Sequence, residues 1–566
     1  HHHHSTTTLQ FAMAKNSEAG NLSDIQLEGM DKAPATSAAR SSFSSGRSNT
    51  DSQAKRQSKR ASQYSVSGEP VRQSVAVRKS AVPRTTANAM AVGVEPRNSL
   101  SALAPGVDEP SMPSIAPRII AELVGTFMLV FTVHVAVTGK SSFAAFAIGG
   151  ILAVQVYAFG SVSGACLNPA VTLAVMLSGR KKMNVRDGLC YMATQFLGGL
   201  LGGWFGLLFT SSSFYFDVNQ TSHQDAGICI MLEILYTAAL CTVVLATGTS
   251  TDSPNEYFGF AIGGTVLASA IACGSLDQGS FNPAVTLGIN IAHLTNGEAM
   301  TPSAGSWFLY LVVPFLGSFA GAGVFIGTRL PECMGKQKEE HSIGEKLLAE
   351  AVGTFYLVLT AGIASGALAP VAIGVMLAVQ VYAFGSVSGA CLNPAVTLAV
   401  LSSGRNKLKA ADAFMYMCVQ FFSAVIAGVI AWQLSGKTVH LGEEDFGSTF
   451  GIELVFTFAL CMTVLTTGTS DDAPNQYFGF AIGGTVTAAA YAAAPHKAGS
   501  FNPAVTLGFM FADEMNGVPT KGTSWALFIL GPWLGGCLAA AVFYLTRRAE
   551  YADQEMFDPM KELVGA

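Results

Sequence analysis

Charge is scarce in this chain. Only 12% of its 566 residues are Asp, Glu, Lys or Arg, against ~25% in an ordinary soluble domain. Many of those charges lie in the first hundred residues, so the remainder is more apolar still. The net charge of −5 constrains little, because its sign is unevenly spread, and nucleic acid is not an expected partner. The ten cysteines include no C-x-x-C pair and sit mostly in apolar runs, which excludes a metal-ligand framework and favours small buried residues over disulfides. No nucleophile–base constellation, metal cluster or phosphate loop is present, so neither an enzyme nor a cofactor is expected.

What fills the space is hydrophobic. Half the residues are apolar and 59 are glycine. Residues 1–117 are rich in Ser, Ala and Arg without hydrophobic periodicity, and are expected to be a disordered tail. The opening His1–His4 is set aside as a tag or translated fragment, and the first span is expected to target the protein in place of a signal peptide. After Arg118, apolar stretches of about 20 residues recur, each long enough for a bilayer core of ~30 Å. They fall near 119–138, 143–161, 188–210, 227–247, 258–275 and 306–328. A second set falls near 345–364, 367–387, 411–435, 447–468, 477–494 and 524–546.

The two sets are copies. "LAVQVYAFGSVSGACLNPAVTLAV" is identical at 152–175 and 377–400, and "YFGFAIGGTV" at 257–266 and 477–486. A whole six-span unit has been duplicated in tandem. Each unit repeats internally as well. An Asn-Pro-Ala step follows the second span and again the fifth, while a glutamate occupies the first span and the fourth: Glu122, Glu233, Glu350 and Glu453. Three spans per half is odd, so the halves lie in opposite orientations, an architecture of membrane transport proteins with the site at the midplane. Basic residues of the tail (Lys55, Arg56, Lys59, Arg60) and of the loops (Arg180, Lys181, Lys182, Arg405, Lys407, Lys409) belong on the cytoplasmic side. The loop 211–226 lacks Lys and Arg and carries an Asn219–Thr221 glycosylation pattern, which suits the outside. Both termini are then cytoplasmic, and a short cytoplasmic linker, 331–342, joins the two units.

Asn is a favoured helix cap and Pro a favoured first helical residue. Each Asn-Pro-Ala step therefore predicts a helix start: Asn168, Pro169, Ala170; Asn282, Pro283, Ala284; Asn393, Pro394, Ala395; Asn502, Pro503, Ala504. About ten apolar residues rise only ~15 Å, half the hydrocarbon core. Such a helix enters to the midplane and meets another there. Irregular backbone at that depth is tolerated only when protein buries it or it lines a watery cavity. Each unit thus predicts a polar line through the membrane, with two positive helix ends at its centre that disfavour cations and protons. The four Asn amides would donate to a passing neutral oxygen.

On these motifs each unit resembles a complete member of the aquaporin, or major intrinsic protein, family, over about 118–330 and 343–547. The resemblance implies an all-α membrane protein of two aquaporin-like units, each six transmembrane helices plus two re-entrant half-helices in an inverted repeat. It implies a passive, non-enzymatic channel with one pore per unit, and glutamates that hold loop backbone near the half-helices. It also implies an outer filter at four positions, which counting places at Ile148, Ala270, Gly279 and Val285, then at Ile373, Ala490, Gly499 and Val505. Water-selective members show an aromatic, a His and an Arg there; here "NPAVT" stands in place of Asn-Pro-Ala-Arg. Small apolar replacements widen a ring and remove its positive charge. Water with small neutral solutes (glycerol, urea, hydrogen peroxide or ammonia) is therefore expected.

Alternatives are a water-selective pore narrowed by the loops 272–281 or 492–501, where Asp277 and Lys497 would distinguish the two mouths, and a non-conducting or coupled transporter relative. Cys166 and Cys391, two residues before the first Asn of each unit, are read as inert. Family members assemble as tetramers, so two chains would build a four-pore assembly in the lipid bilayer, in the plasma membrane or an internal one. Arg-x-Ser patterns such as Arg56–Ser58 and Arg72–Ser74 in the tail suit phosphorylation. Residues 548–566 are taken as a cytoplasmic C-terminal tail.

Overall fold

The computed structural model describes residues 114–221, 225–252, 254–336, 340–442, 445–472, 474–496 and 498–551. The expectations for the first 113 residues, for Lys497 and for most of the C-terminal tail lie outside them. Every described element is helical.

The first unit comprises α1 (Ile115–Thr138), α2 (Ala144–Ser163), α3 (Pro169–Leu177), α4 (Val185–Thr210), α5 (Ala226–Val243), α6 (Phe258–Cys273), α7 (Pro283–Thr295) and α8 (Ala304–Thr328). A short α9 (Leu330–Cys333) opens the linker. The second unit repeats the order as α10 (Ile343–Ile363), α11 (Ala369–Ser388), α12 (Pro394–Ser402), α13 (Ala410–Ser435), α14 (Phe446–Thr463), α15 (Phe478–Ala493), α16 (Pro503–Met515) and α17 (Gly522–Thr546). α5 and α14 each end in a π-helical turn, Val244–Thr249 and Val464–Gly468.

Among the described residues, ten helices are long and apolar enough to cross a membrane. The fifth span of each unit, α6 and α15, has only 16 residues, or ~24 Å. Packing shows the internal symmetry. α1 lies on α4 as α5 lies on α8, and half-helix α3 meets α8 as α7 meets α4. α2 and α6 cross at the centre, backbone to backbone: a Cβ added at Gly149 would stand 2.6 Å from the Gly263 carbonyl oxygen. Lipid gives helices no hydrophobic drive to associate, so small residues that allow such approach supply dispersion contacts instead.

The units meet through unlike faces. α11 of the second packs on α6 of the first, and α10 on α8 and α6. Tyr382 stacks on Tyr257 with ring centroids 5.6 Å apart, and the Tyr356 hydroxyl donates to Leu235 O at 2.9 Å. Below them Arg329, fully buried, pairs with Asp252 at 2.9 Å and donates to Ala383 O at 2.8 Å.

Candidate functional site

Each re-entrant loop is held by a buried glutamate. Glu122 accepts from the backbone N–H of Cys166 (3.0 Å) and Leu167 (2.7 Å), from the Ser163 hydroxyl (2.6 Å) and from the Gln195 amide (2.7 Å). Glu350 repeats the set with Cys391, Leu392, Ser388 and Gln420. In the other half, Glu233 takes Ser280 N (2.6 Å) and Phe281 N (2.8 Å). Glu453 takes three backbone donors, Gly499, Ser500 and Phe501, at 2.8 to 2.9 Å. These bonds hold backbone that would not keep its shape alone. Leu167, Phe281, Leu392 and Phe501 all sit at φ near +50°, a conformation that costs a bulky residue ~1–3 kcal/mol.

That conformation turns four carbonyls toward the opposite half-helix. The Asn168 amide donates to Phe281 O at 2.8 Å and the Asn282 amide to Leu167 O at 3.0 Å. In the second unit Asn393 reaches Phe501 O at 2.9 Å and Asn502 reaches Leu392 O at 3.0 Å. Each Asn also caps its own helix, its Oδ1 accepting from the N–H of Ala170, Ala284, Ala395 or Ala504. Pro169, Pro283, Pro394 and Pro503 occupy the first helical positions. An amide NH₂ carries two hydrogens, so one on each Asn remains beyond this cross-link.

In the second unit the counted filter positions come together. Ile373, Ala490, Gly499 and Val505 line one cavity of about 480 Å³ with Asn393 and Asn502. Cys391 borders it, and His440 is its only ionisable side chain of the Asp, Glu, Lys, Arg or His type among the described residues. In the first unit Ile148, Ala270 and Gly279 are partly buried and Val285 is buried, at the matching places of the repeat. Gly279 has φ +64°, and a Cβ there would also press within 3.0 Å of the Phe281 ring.

One expectation fails. Asp277 is not a charge at the pore mouth: it is 1% exposed and accepts from the Tyr310 hydroxyl at 2.7 Å. The second unit has Phe528 in place of Tyr310. Cysteines divide too, for Cys418 and Cys537 are exposed while six others are buried; all ten are unpaired.

The sequence profile described as "Major intrinsic protein" matches residues 109–326 and again 337–544. The chain belongs to that family. Aquaporin NIP1-1 of Zea mays is 33% identical over 217 residues, 37% of this chain and 73% of the relative. Nodulin-26 of Glycine max is 32% identical over 220 residues, 37% and 76% respectively. Aquaporin AqpM of Methanothermobacter thermautotrophicus is 30% identical over 244 residues, 36% and 98%. This major intrinsic protein is thus a tandem pair of aquaporin-like units, an integral multi-pass membrane channel and not an enzyme.

Sequence reasoning missed Gln195 and Gln420, each bonded to a loop-holding glutamate and to a half-helix threonine, Thr172 or Thr397. The available signal was a glutamine at matched places in two apolar spans.

Proposed function

We propose that this protein, with one pore in each unit, is a passive channel for water and small neutral solutes (glycerol, urea, hydrogen peroxide or ammonia) that excludes ions and protons. The observation carrying this reading is the cavity between Asn393, Asn502 and the apolar quartet Ile373, Ala490, Gly499 and Val505. Two helix N-termini face its inner end, each worth roughly half a positive charge, and repel cations. The spare amide hydrogens of Asn168, Asn282, Asn393 and Asn502 serve a solute oxygen in single file. The quartet carries no fixed donor and no charge, so size alone sets the limit there. The relatives named as aquaporins support the water part of the reading.

The units span about 118–330 and 343–547, with α1 starting slightly earlier at Ile115 and Arg548–Tyr551 packed back on the second unit. The linker is 331–342, and both tails (1–117 and 548–566 as read from the sequence) face the cytoplasm with the basic loops. Two chains close into a four-pore ring. The face that unit one uses on unit two is repeated in α15, and the face it meets is repeated in α2. On these copies Tyr157, Tyr477 and Phe480 are 44 to 55% exposed, whereas Tyr382 at the junction is 1% exposed. Arg329 reaches Ala383 O and Ser386 across the junction, while the Nε of its counterpart Arg547 is buried without a partner among the described residues. A head-to-tail contact that closes makes a ring.

Stopped-flow light scattering of proteoliposomes tests the pore. Under a glycerol gradient, fast shrinkage and then fast re-swelling is expected. Re-swelling no faster than in empty liposomes would overturn the wide filter and leave a water pore.

A further inference from the structure

The two pores are not copies at their open ends. The loop after α4 and the loop after α13 follow the same path for their first residues. Ser211 and Gly436 both turn the chain at positive φ, and Tyr215 lies over His293 as His440 bonds Asp513 at the matching place. Phe214 therefore corresponds to Val439, and Phe216 to Leu441. Val439 and Leu441 line the 480 Å³ cavity of the second unit. In the first unit the two phenylalanines pack edge to face, centroids 5.6 Å apart, and continue into His134 on one side and Tyr310 on the other.

Two differences run the other way, and both of those side chains border the same cavity, which stays open at about 480 Å³ with them in place. Phe509 stands where the first unit has Ile289, but its ring lies beside Gly362, the place of His134. Tyr491 stands where the first unit has Ile271, but its hydroxyl is tied to Ala367 O at 2.8 Å and the residue is 44% exposed, at the rim.

We infer that the two pores divide the solute range: the second unit is the path for glycerol-sized polyols, and Phe214 with Phe216 restricts the first unit to water-sized solutes. The four filter positions cannot make this distinction, because they are the same residue types in both units: Ile, Ala, Gly and Val. The loop side chains above them make it. This rests on the pore reading above and assigns its specificity to named residues.

The test uses the full chain in proteoliposomes, with water and glycerol permeabilities measured on each sample. Val439→Phe with Leu441→Phe is expected to lower glycerol permeability about tenfold, the scale on which a small change of fit in an apolar passage discriminates, while water flux persists through both pores. Phe214→Val, at a half-buried position, is expected to raise glycerol permeability with water flux kept. Water flux at the level of the unaltered protein shows that both units of each variant are folded, whereas a fall to about half would mark collapse of the altered pore. If neither variant shifts the glycerol-to-water ratio while the unaltered protein passes both, the division is wrong and the pore reading stands. If the unaltered protein passes water but no glycerol, the wide filter and the division fall together.

Discussion

Asn168 donates its side-chain amide to Phe281 O at 2.8 Å, 113 residues away, and Asn282 returns the bond to Leu167 O. The cap and the cross-link are made by one side chain. Replacing Asn168 with Ala removes the cap, about 1 kcal/mol, and leaves the Phe281 carbonyl buried without a partner, a further ~1–3 kcal/mol. The second unit keeps its own pair. Asn168→Ala is expected to lower the thermal midpoint and to cut water flux per chain to about half, with Asn168→Ala/Asn393→Ala abolishing it. Complete loss on the single change would show that the pores do not act separately.

The glutamates predict a second effect. Glu453 accepts three backbone N–H groups and, among the described residues, no side-chain donor, so no neighbouring hydroxyl or amide can turn to accommodate a substitute. In Glu453→Gln the new NH₂ group faces backbone donors, and at least one bond worth ~1.5–3 kcal/mol is lost. Loop 498–501 borders the cavity, so glycerol flux should fall more than water flux. Equal loss of both, or unchanged glycerol flux, would separate Glu453 from the filter.

Most of the fold was legible because two independent periodicities agreed. The apolar stretches gave the spans within a few residues, and the repeats gave their symmetry. The half-helices were legible because Asn and Pro act locally, at the cap and the first turn. What pairs across the chain was less so. Gln195 meets Glu122 across 73 residues, and nothing short-range marks it. Asp277 looked like a mouth charge because the sequence shows its loop but not Tyr310, which comes from α8. Phe214 and Val439 differ in an ordinary-looking loop; only the cavity gives the difference a meaning.

A third prediction concerns the junction of the units. Burial alone would raise the Asp252 carboxyl, but the Arg329 guanidinium, with His341 and Ser250, holds it well below the usual carboxylate range. A carboxyl depressed by folding contributes stability that is complete above its unfolded pKa and lost as pH falls through its folded one. Asp252→Asn leaves the buried Arg329 charge unpaired, a loss of ~3–5 kcal/mol. The gap in thermal midpoint between the two proteins should be present at about pH 5 and narrow below about pH 4. A gap unchanged at pH 3 would remove the pair from the account.

The fourth prediction separates contacts within a chain from contacts between chains. Tyr382 and Tyr157 stand in identical sequence, and each receives the backbone N–H of its own unit's fifth span, Phe480 or Phe260, on its hydroxyl at 3.2 Å. Their rings differ in what they touch. Tyr382 stacks on Tyr257 of the other unit, whereas Tyr157 lies against Phe258 of its own unit and is otherwise open. In a closed ring the Tyr157 ring is covered by Tyr477 and Phe480 of a second chain. Shortening both to the same small residue then has different outcomes. Tyr382→Ala should lower the thermal midpoint of the single chain, while Tyr157→Ala should lower the fraction of paired chains on native gels or in mass photometry of detergent-solubilised protein. If the wild-type chain runs alone at all concentrations, the ring is wrong. If it pairs and Tyr157→Ala pairs equally well, the second chain docks through another face, and the exposed aromatics of α2 and α15 face lipid.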